Sequence, residues 1–406
     1  MSGLDTRAGA HYSTSGGERD AHPSTAEVFE LGAEFARREI FPSLQEWEDA
    51  GEIPRSLHLA AAKQGLLGMG FREEVGGEGG TLADMTALQE GLLSEGASSG
   101  LLAALFTNGI ALPHIARHGS ADLIDRYVRP TLAGQKIGAL AITEPGGGSD
   151  VAHLSTRAVR VSTGSASEDH YVVNGAKTFI TSGVRADFLT VAVRTGGPGA
   201  GGVSLLVIDK DTPGLTVDRR LQKMGWHCSD TAELGFADVR VPASHLVGEE
   251  NAAFGYIAEA FVTERIALAV HAYGIAARSL ELTAAYCRER STFGEPLIER
   301  QVVRHKLVEM HRLVESAKAY THAVVREYDE TGTTASTIAR AALAKQTAVE
   351  ASQWVCNEAV QLHGGTGYMH GTEVERHYRD TRILPIGGGA TEVMTDLAAK
   401  LLGYDR

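Results

Sequence analysis

The chain has 406 residues, long enough for two or three domains or one large elaborated one. Thirty-eight Lys plus Arg against 51 Asp plus Glu leave a formal charge of −13, which argues against general binding of nucleic acid or anionic membrane. Its 43% hydrophobic and 22% charged content is that of an ordinary soluble protein, and no run approaches the roughly 20 apolar residues that span a bilayer. The three cysteines, Cys228, Cys287 and Cys356, lie far apart with no CxxC. No disulfide framework or zinc ribbon is expected, and a reducing cytoplasm fits.

Residues 1–23 are rich in Gly, Ser and charge without an apolar stretch, so a loose tail is expected rather than a signal peptide. From Ser24 to about Gly138 the pattern is helical. Ser24 or Thr25 can cap a first helix, with Glu27 in its first turn; Leu57–Leu67, Leu82–Leu93 and Ser99–Ile115 continue in the same style. From Ala139 to about residue 250 short β-branched runs take over: Thr156–Val161, Tyr171–Val173, Phe188–Val193, Val203–Val207 and Ala232–Val241. Asn174-Gly175 between Tyr171-Val172-Val173 and Thr178-Phe179-Ile180 predicts a hairpin turn. Strands without intervening helices predict an antiparallel sheet or small barrel. From residue 251 the chain is helical again: Phe254–Arg288, Ile298–Tyr328 and Thr337–Leu362 are long segments with short connections, as in a bundle, and a short helix comes last. The fold class is therefore α+β, with an N-terminal helical domain (24–138), a middle antiparallel β-domain (139–250) and a C-terminal helical bundle (251–406).

Several motifs carry chemistry or imitate it. Gly197-Pro198-Gly199-Ala200-Gly201-Gly202 matches G-x-G-x-x-G, but it leads into a strand, so no helix N-terminus is there to hold a pyrophosphate; a surface hairpin loop is expected. His363, His370 and His377 recur among glycines that break helical register, and no metal site is expected. Thr143-Glu144-Pro145-Gly146-Gly147-Gly148-Ser149-Asp150 is either a plain turn or a loop whose glycines admit a flat ligand beside the Thr143 and Ser149 hydroxyls. Glu264-Arg265 is either a solvated pair or, given the apolar run Ile266–Val270 that follows, a carboxylate in a buried stretch able to act as a base. Gly387-Gly388-Gly389 is either a hinge or a space for a ligand facing free amides at the mouth of a helix.

Taken together the chain resembles the acyl-CoA dehydrogenase family over nearly all of its length after the tail. The motifs Ala141-Ile142-Thr143-Glu144-Pro145-x-x-Gly148-Ser149-Asp150, Lys177-Thr178-Phe179-Ile180-Thr181, Arg290-x-x-Phe293-Gly294 and Gln361-x-x-Gly364-Gly365-x-Gly367-Tyr368 stand in the family order. The resemblance implies a C-terminal four-helix bundle, a homotetramer built as a dimer of dimers, and FAD between the β-domain and the bundle. Leu140, Ile142, Thr143, Gly148, Ser149, Phe179 and Thr181 would meet the flavin, with Thr391 and Glu392 nearby. Arg290, Phe293, Gln301, Gln361, Gly364 and Gly365 would hold the adenine and pyrophosphate portion across a subunit boundary.

The implied reaction removes the α-proton of an acyl-CoA thioester while the β-hydrogen leaves as hydride to flavin N5, giving a trans-2-enoyl-CoA, with an electron-transferring flavoprotein as acceptor. Many members carry the base in a Tyr-Glu-Gly-Thr motif. Here that stretch reads Gly387-Gly388-Gly389-Ala390, and Gly388 cannot be a base. The sequence resembles more closely the long-chain and isovaleryl-type members that carry the base on the long helix, and the matching position, Glu264 followed by Arg265, would be the base. Ser149, Arg265, Gly388 and Gly389 would face the substrate, the Gly388 N–H and the flavin ribityl hydroxyl would polarise the thioester, and Thr391 could replace the hydroxyl missing at Ala390. A long or branched acyl chain is expected. Two other readings stand beside this one: a non-catalytic subunit of a heteromeric dehydrogenase, and a flavin oxidase or monooxygenase on the same fold.

Overall fold

The structure, a computed structural model, describes residues 23–165 and 167–405. The tail expected at residues 1–23 lies outside them except for Pro23. The first helix, α1 (Thr25–Phe35), starts where expected. Ser24 Oγ accepts from the Glu27 N–H at 3.3 Å and the Glu27 carboxylate accepts from the Ser24 N–H at 2.7 Å, a reciprocal cap. Helices α2 (Leu44–Ala50), α3 (Arg55–Lys63) and α4 (Leu82–Ser94) follow. The helix expected over Ser99–Ile115 is three shorter ones, α5 (Ser99–Leu105), α6 (Asn108–Ala111) and α7 (Pro113–His118). Pro113 has no N–H to give an incoming helix and opens a new one instead. Short α8 (Ala121–Leu123) and α9 (Arg129–Leu132) lead into the sheet.

The sheet contains β1 (Gly138–Ala141), β2 (Arg157–Val161), β3 (His170–Thr181), β4 (Phe188–Arg194), β5 (Val203–Asp209), β6 (Leu215–Arg220) and β7 (Thr231–Pro242). Their order is β1-β4-β2-β3-β7-β6, with β5 beside β4. Pairing is antiparallel except where β4 runs parallel to β1 and meets the start of β2. One face encloses Tyr171, Val173, Leu189, Val191, Leu206 and Val239. The opposite face of β4 and β5 packs Phe188, Val203 and Val207 on Ile115, Leu123 and Tyr127 of the helices. Burial on both faces is why those two strands read as unbroken apolar runs. Residues 195–202 join β4 to β5 as a hairpin loop, as expected for the glycine-rich stretch.

The hairpin expected at Asn174-Gly175 does not form. Residues 170–181 are one strand, paired along its length with the equally long β7, and that ladder outweighs the local turn preference. The register shifts at Gly175, whose φ is 150°; a Cβ there would lie 2.6 Å from Thr156 Oγ1. The Asn174 amide spans to β7, donating to Asp238 Oδ1 at 3.0 Å and accepting from the Asp238 N–H at 2.9 Å. Strand β6 was not expected, because its Leu-Thr-Val-Asp-Arg-Arg sequence is almost wholly exposed and lacks an apolar alternation.

The C-terminal region is built on α10 (Ala253–Glu289), roughly 55 Å long at 1.5 Å per residue. A small ribbon, β8 (Ser291–Thr292) with β9 (Glu295–Pro296), turns the chain into α11 (Gln301–Thr331) and α12 (Ala335–His363). Two short helices follow, α13 (Glu373–Thr381), which was not expected, and α14 (Thr391–Leu401). Helix α10 packs against α11 and α12, with α14 beside α12. Its Leu268, Tyr273 and Ile275 share a core with Leu92 and Leu93 of α4 and Ala348 and Val349 of α12, so the two helical regions are one packed body. The three cysteines are free and buried.

Candidate active site

Glu264 stands three turns into α10, half-buried, on the same face as Leu268 four residues on. That face meets the loop between α13 and α14. A Cβ added to Gly388 would lie 3.3 Å from Glu264 Oε1 and 2.3 Å from Leu268 Cδ1, and the Gly388 φ is +63°. Both the space and the backbone conformation demand glycine there. The carboxyl predicted as the base therefore faces the glycine that replaces the usual glutamate. It makes no hydrogen bond among the described residues. Burial pushes its pKa up, opposed by the positive charges of Arg265 and Lys345. Arg265 is itself buried, with its guanidinium 5.6 Å from the Phe261 ring centre and its Nε without an acceptor.

Lys345, absent from the sequence-based candidates, closes this corner. It is 2% exposed on α12 and donates to the Gly387 carbonyl and, at 2.6 Å, to the Gly389 carbonyl. Burial pushes its pKa down to about 8, with Glu264 opposing the shift. The Thr391 N–H closes the loop on the Pro385 carbonyl at 3.0 Å, whereas the N–H groups of Gly388, Gly389 and Ala390 meet no acceptor among the described residues. The signal that could have revealed Lys345 is its place at i+4 from Ala341 and three before Ala348: a lysine inside a buried small-residue stripe.

On the β side, Ile142 is buried, Leu140, Thr143 and Thr181 are half-buried, and Gly148 and Ser149 are exposed. The strap after β1 is fastened by Glu144, which the sequence motif contains without marking it as a site residue. Its carboxylate accepts from the Ser155 N–H and hydroxyl at 2.6 Å each, the Thr156 N–H at 2.8 Å and Lys177 Nζ at 2.8 Å. Burial alone would raise the Glu144 pKa, but Lys177 and the hydrogen bonds outweigh it and hold it near 2. Lys177, wholly buried, also donates to the Ile142 carbonyl at 2.9 Å, and the Thr178 N–H donates to the Thr143 carbonyl at 2.9 Å. Next to this clamp the β3–β7 register shifts again, and Phe179 takes a φ of 59° with 67% of its surface exposed. A left-handed, exposed aromatic is an apolar platform held at the strand surface at a cost in strain.

The β side and the glycine loop are tied through the loop before β7. The Ser182 N–H donates to the Asp230 carbonyl at 2.9 Å, and the Trp226 N–H donates to Asp380 Oδ1 at 2.6 Å, at the end of α13 that leads into Gly387–Gly389. Asp380 is fully buried, and burial together with the Glu48 carboxylate pushes its pKa up.

The remaining expected residues gather elsewhere. Arg290 caps the far end of α10; Phe293 is 99% exposed at φ 54° with the Arg300 guanidinium 5.5 Å from its ring centre; Gln301 opens α11 on the surface. Gln361, Gly364 and Gly365 are exposed at the end of α12, and that end meets the last turn of α10, where Tyr286, four residues before Arg290, stacks on His363 at 4.3 Å. Arg290 lies 26 residues beyond Glu264, roughly 39 Å along the helix. A single chain does not bring these two groups together. Glu392 is exposed and Thr391 half-buried at the start of α14. His363 and His377 turn to the Ala359 carbonyl and the Ser279 hydroxyl, each at 2.8 Å, while His370 is exposed.

A carboxyl borne on a helix thus meets a glycine loop with unpaired amides, and the sheet presents an exposed aromatic. Family models of the acyl-CoA dehydrogenase N-terminal domain match residues 24–135, of its middle domain residues 139–239, and of its C-terminal domain residues 252–403. The chain belongs to the acyl-CoA dehydrogenase family, which is FAD-dependent. It is 36% identical to the rat mitochondrial long-chain specific acyl-CoA dehydrogenase over 395 residues, 96% of this chain and 89% of that one. A solved probable acyl-CoA dehydrogenase of Mycobacterium abscessus shares 59% identity at a TM-score of 0.89, covering 93% of this chain and 98% of its own. A glutaryl-CoA dehydrogenase of Mycobacterium smegmatis, solved in complex with FADH2, shares 25% identity at a TM-score of 0.85, covering 94% and 95%.

Proposed function

We propose that this chain dehydrogenates an acyl-CoA thioester between its α and β carbons, giving the trans-2-enoyl-CoA, with Glu264 as the base. The observation that carries the reading is the approach of the Glu264 carboxyl to Gly388, with free amides on the same loop. Bound FAD supplies the acceptor for the β-hydrogen. Glu264 takes the α-proton, and its raised pKa makes it a stronger base than a solvated carboxylate. The Gly388 N–H, free of any acceptor among the described residues, would hold the thioester oxygen as negative charge develops, a contribution typically on the order of 3 kcal/mol. The apolar flank of Leu268 and Phe261 keeps water away from the carbanion. Ser149, Arg265 and Gly389 complete the substrate side.

The donor set fits FAD. Phe179 offers an exposed apolar surface on the strand that Lys177 anchors, and on this reading Leu140, Ile142, Thr143, Gly148, Ser149, Thr181, Thr391 and Glu392 make the remaining flavin contacts. Arg290, Phe293, Gln301, Gln361, Gly364 and Gly365 suit a dinucleotide's phosphates and adenine: a cation, an exposed ring and backbone without side chains, where a Cβ on Gly364 or Gly365 would meet nothing within 4 Å. Since Arg290 lies roughly 39 Å from Glu264 along α10, this group serves the site of a second copy, which supports a homo-oligomer, read as a tetramer. An electron-transferring flavoprotein is the proposed acceptor, a long or branched acyl group the proposed substrate, and the cytoplasm, in keeping with three free cysteines, the proposed compartment. Among the described residues no helix is long and apolar enough to cross a membrane.

The test is Glu264→Gln. The variant is expected to keep bound FAD yet fail to bleach under anaerobic acyl-CoA; reduction at near wild-type rate would overturn the assignment. Substrates spanning length and branching fix the acyl class, and slow reoxidation of the reduced flavin by air separates a dehydrogenase from an oxidase.

A further inference from the structure

The best-defined contact at the site belongs to a residue to which the proposed reaction gives no task. Lys345 is a buried ammonium with no carboxylate within 4.0 Å among the described residues, since its acceptors are two backbone carbonyls of the glycine loop. A buried lysine without a direct ion pair is costly and calls for a reason. The reason follows from peptide geometry. In a trans peptide the carbonyl of one residue and the N–H of the next point in opposite directions across one plane. Drawing the Gly387 carbonyl toward α12 therefore turns the Gly388 N–H away from α12. Drawing in the Gly389 carbonyl does the same for the Ala390 N–H. Both amides are left without acceptors. An ammonium on the carbonyl oxygen also polarises the peptide and strengthens its N–H as a donor. Glycines at positive φ, Gly388 at 63° and Gly389 at 101°, would otherwise leave this loop free to turn its amides elsewhere.

The same ammonium acts on the base. Glu264 lies beside the loop that Lys345 grips, and the two cations that favour its ionised form are Arg265 on α10 and Lys345 on α12. One side chain thus bears on both halves of α-proton removal: the donors that receive charge on the thioester oxygen and the carboxylate that receives the proton.

We propose that Lys345 is a positioning residue for this reaction, clamping the Gly387 and Gly389 carbonyls so that the amides between and after them face the thioester oxygen, with its positive charge on the same loop that meets the Glu264 carboxyl. The inference rests on Glu264 being the base. Lys345→Met removes both effects and Lys345→Gln keeps a donor for one carbonyl without the charge. Holoenzyme of each is measured alongside wild type and Glu264→Gln for flavin content, melting temperature, kcat and KM across pH, and affinity for a 3-ketoacyl-CoA, whose enolate needs the same donors.

Lys345→Met is expected to keep its flavin, to lose about a hundred- to a thousand-fold in kcat with KM little changed, to bind the enolate more weakly, and to move the acid limb of its rate profile to higher pH. Lys345→Gln should recover part of kcat with the limb still displaced. A merely structural lysine would lower flavin content and melting temperature without displacing the limb, and that pattern overturns the proposal. So does wild-type kcat with an unmoved limb in either variant. Should Lys345→Met fail to fold, the limb and enolate affinity of Lys345→Gln decide alone. If Glu264→Gln itself reduces flavin normally, it is the assignment of the base that fails, which separates the two outcomes.

Discussion

Gly388 and Glu264 constrain each other atom by atom. A methyl group at 388 would overlap Leu268 Cδ1 and crowd Glu264 Oε1 on a backbone already left-handed. Gly388→Ala is expected to lower stability by about 1–3 kcal/mol and to abolish flavin reduction, read by thermal melts and anaerobic bleaching; a fully active variant would mean that the loop does not meet α10 as described. The pKa of Glu264 has a consequence for stability. It is raised in the folded state, so at neutral pH the unfolded chain ionises this group more readily, and the charge works against the fold. Glu264→Gln should therefore melt at or above the wild-type temperature at pH 7, with the gap closing as pH falls toward the ordinary glutamate value of 4.5. A lower melting temperature at neutral pH would contradict the burial of that carboxyl. Glu144 has the opposite sign. Its folded pKa, held near 2, lies below the ordinary 4.5, so its contribution is complete above about pH 4.5 and fades as pH falls toward 2. Lys177→Met strands this carboxylate and is expected to cost about 3–5 kcal/mol, a loss visible in denaturant melts at pH 7 and smaller in acid.

Among the elements, β3 concentrates the site's β side because two register shifts bend one strand. The first, at Gly175, is pinned by Asn174 to Asp238; the second presents Phe179. Phe179 is mostly exposed, so Phe179→Ala should leave unfolding free energy within about 0.5 kcal/mol while weakening retention of FAD, measured as flavin per chain after dialysis. Unchanged retention would remove Phe179 from the proposed cofactor surface. Helix α12 plays the matching part on the other side. Its small buried residues let α10 and α14 approach, and Lys345 in that stripe reaches the loop ahead of α14.

At the scale of the whole molecule, α10 is a ruler. Under the proposed assignment Glu264 and Arg290 lie too far apart, at roughly 39 Å along the axis, to serve one flavin dinucleotide in the same chain. If a second copy completes each site, chains carrying Glu264→Gln and chains carrying Arg290→Glu, each inactive alone, should regain activity when co-expressed. Sites in mixed assemblies would then draw Glu264 from one chain and Arg290 from the other. Failure to regain activity in verified mixed assemblies would place the whole cofactor site within one chain.

The order of helices, strands and helices, the Ser24–Glu27 cap and the family were legible in the sequence, because period, capping chemistry and spaced motifs are local signals, whereas the approach of Gly388 to Glu264 is a contact across 124 residues. Only the tertiary structure decided the rest. The Asn174-Gly175 turn yielded to a ladder with a strand more than 50 residues away. Exposed β6 gave no apolar alternation to read. Lys177, Glu144 and Lys345 acquired their partners across separate elements, and what a buried charge does depends on which groups the packed chain sets within hydrogen-bond reach.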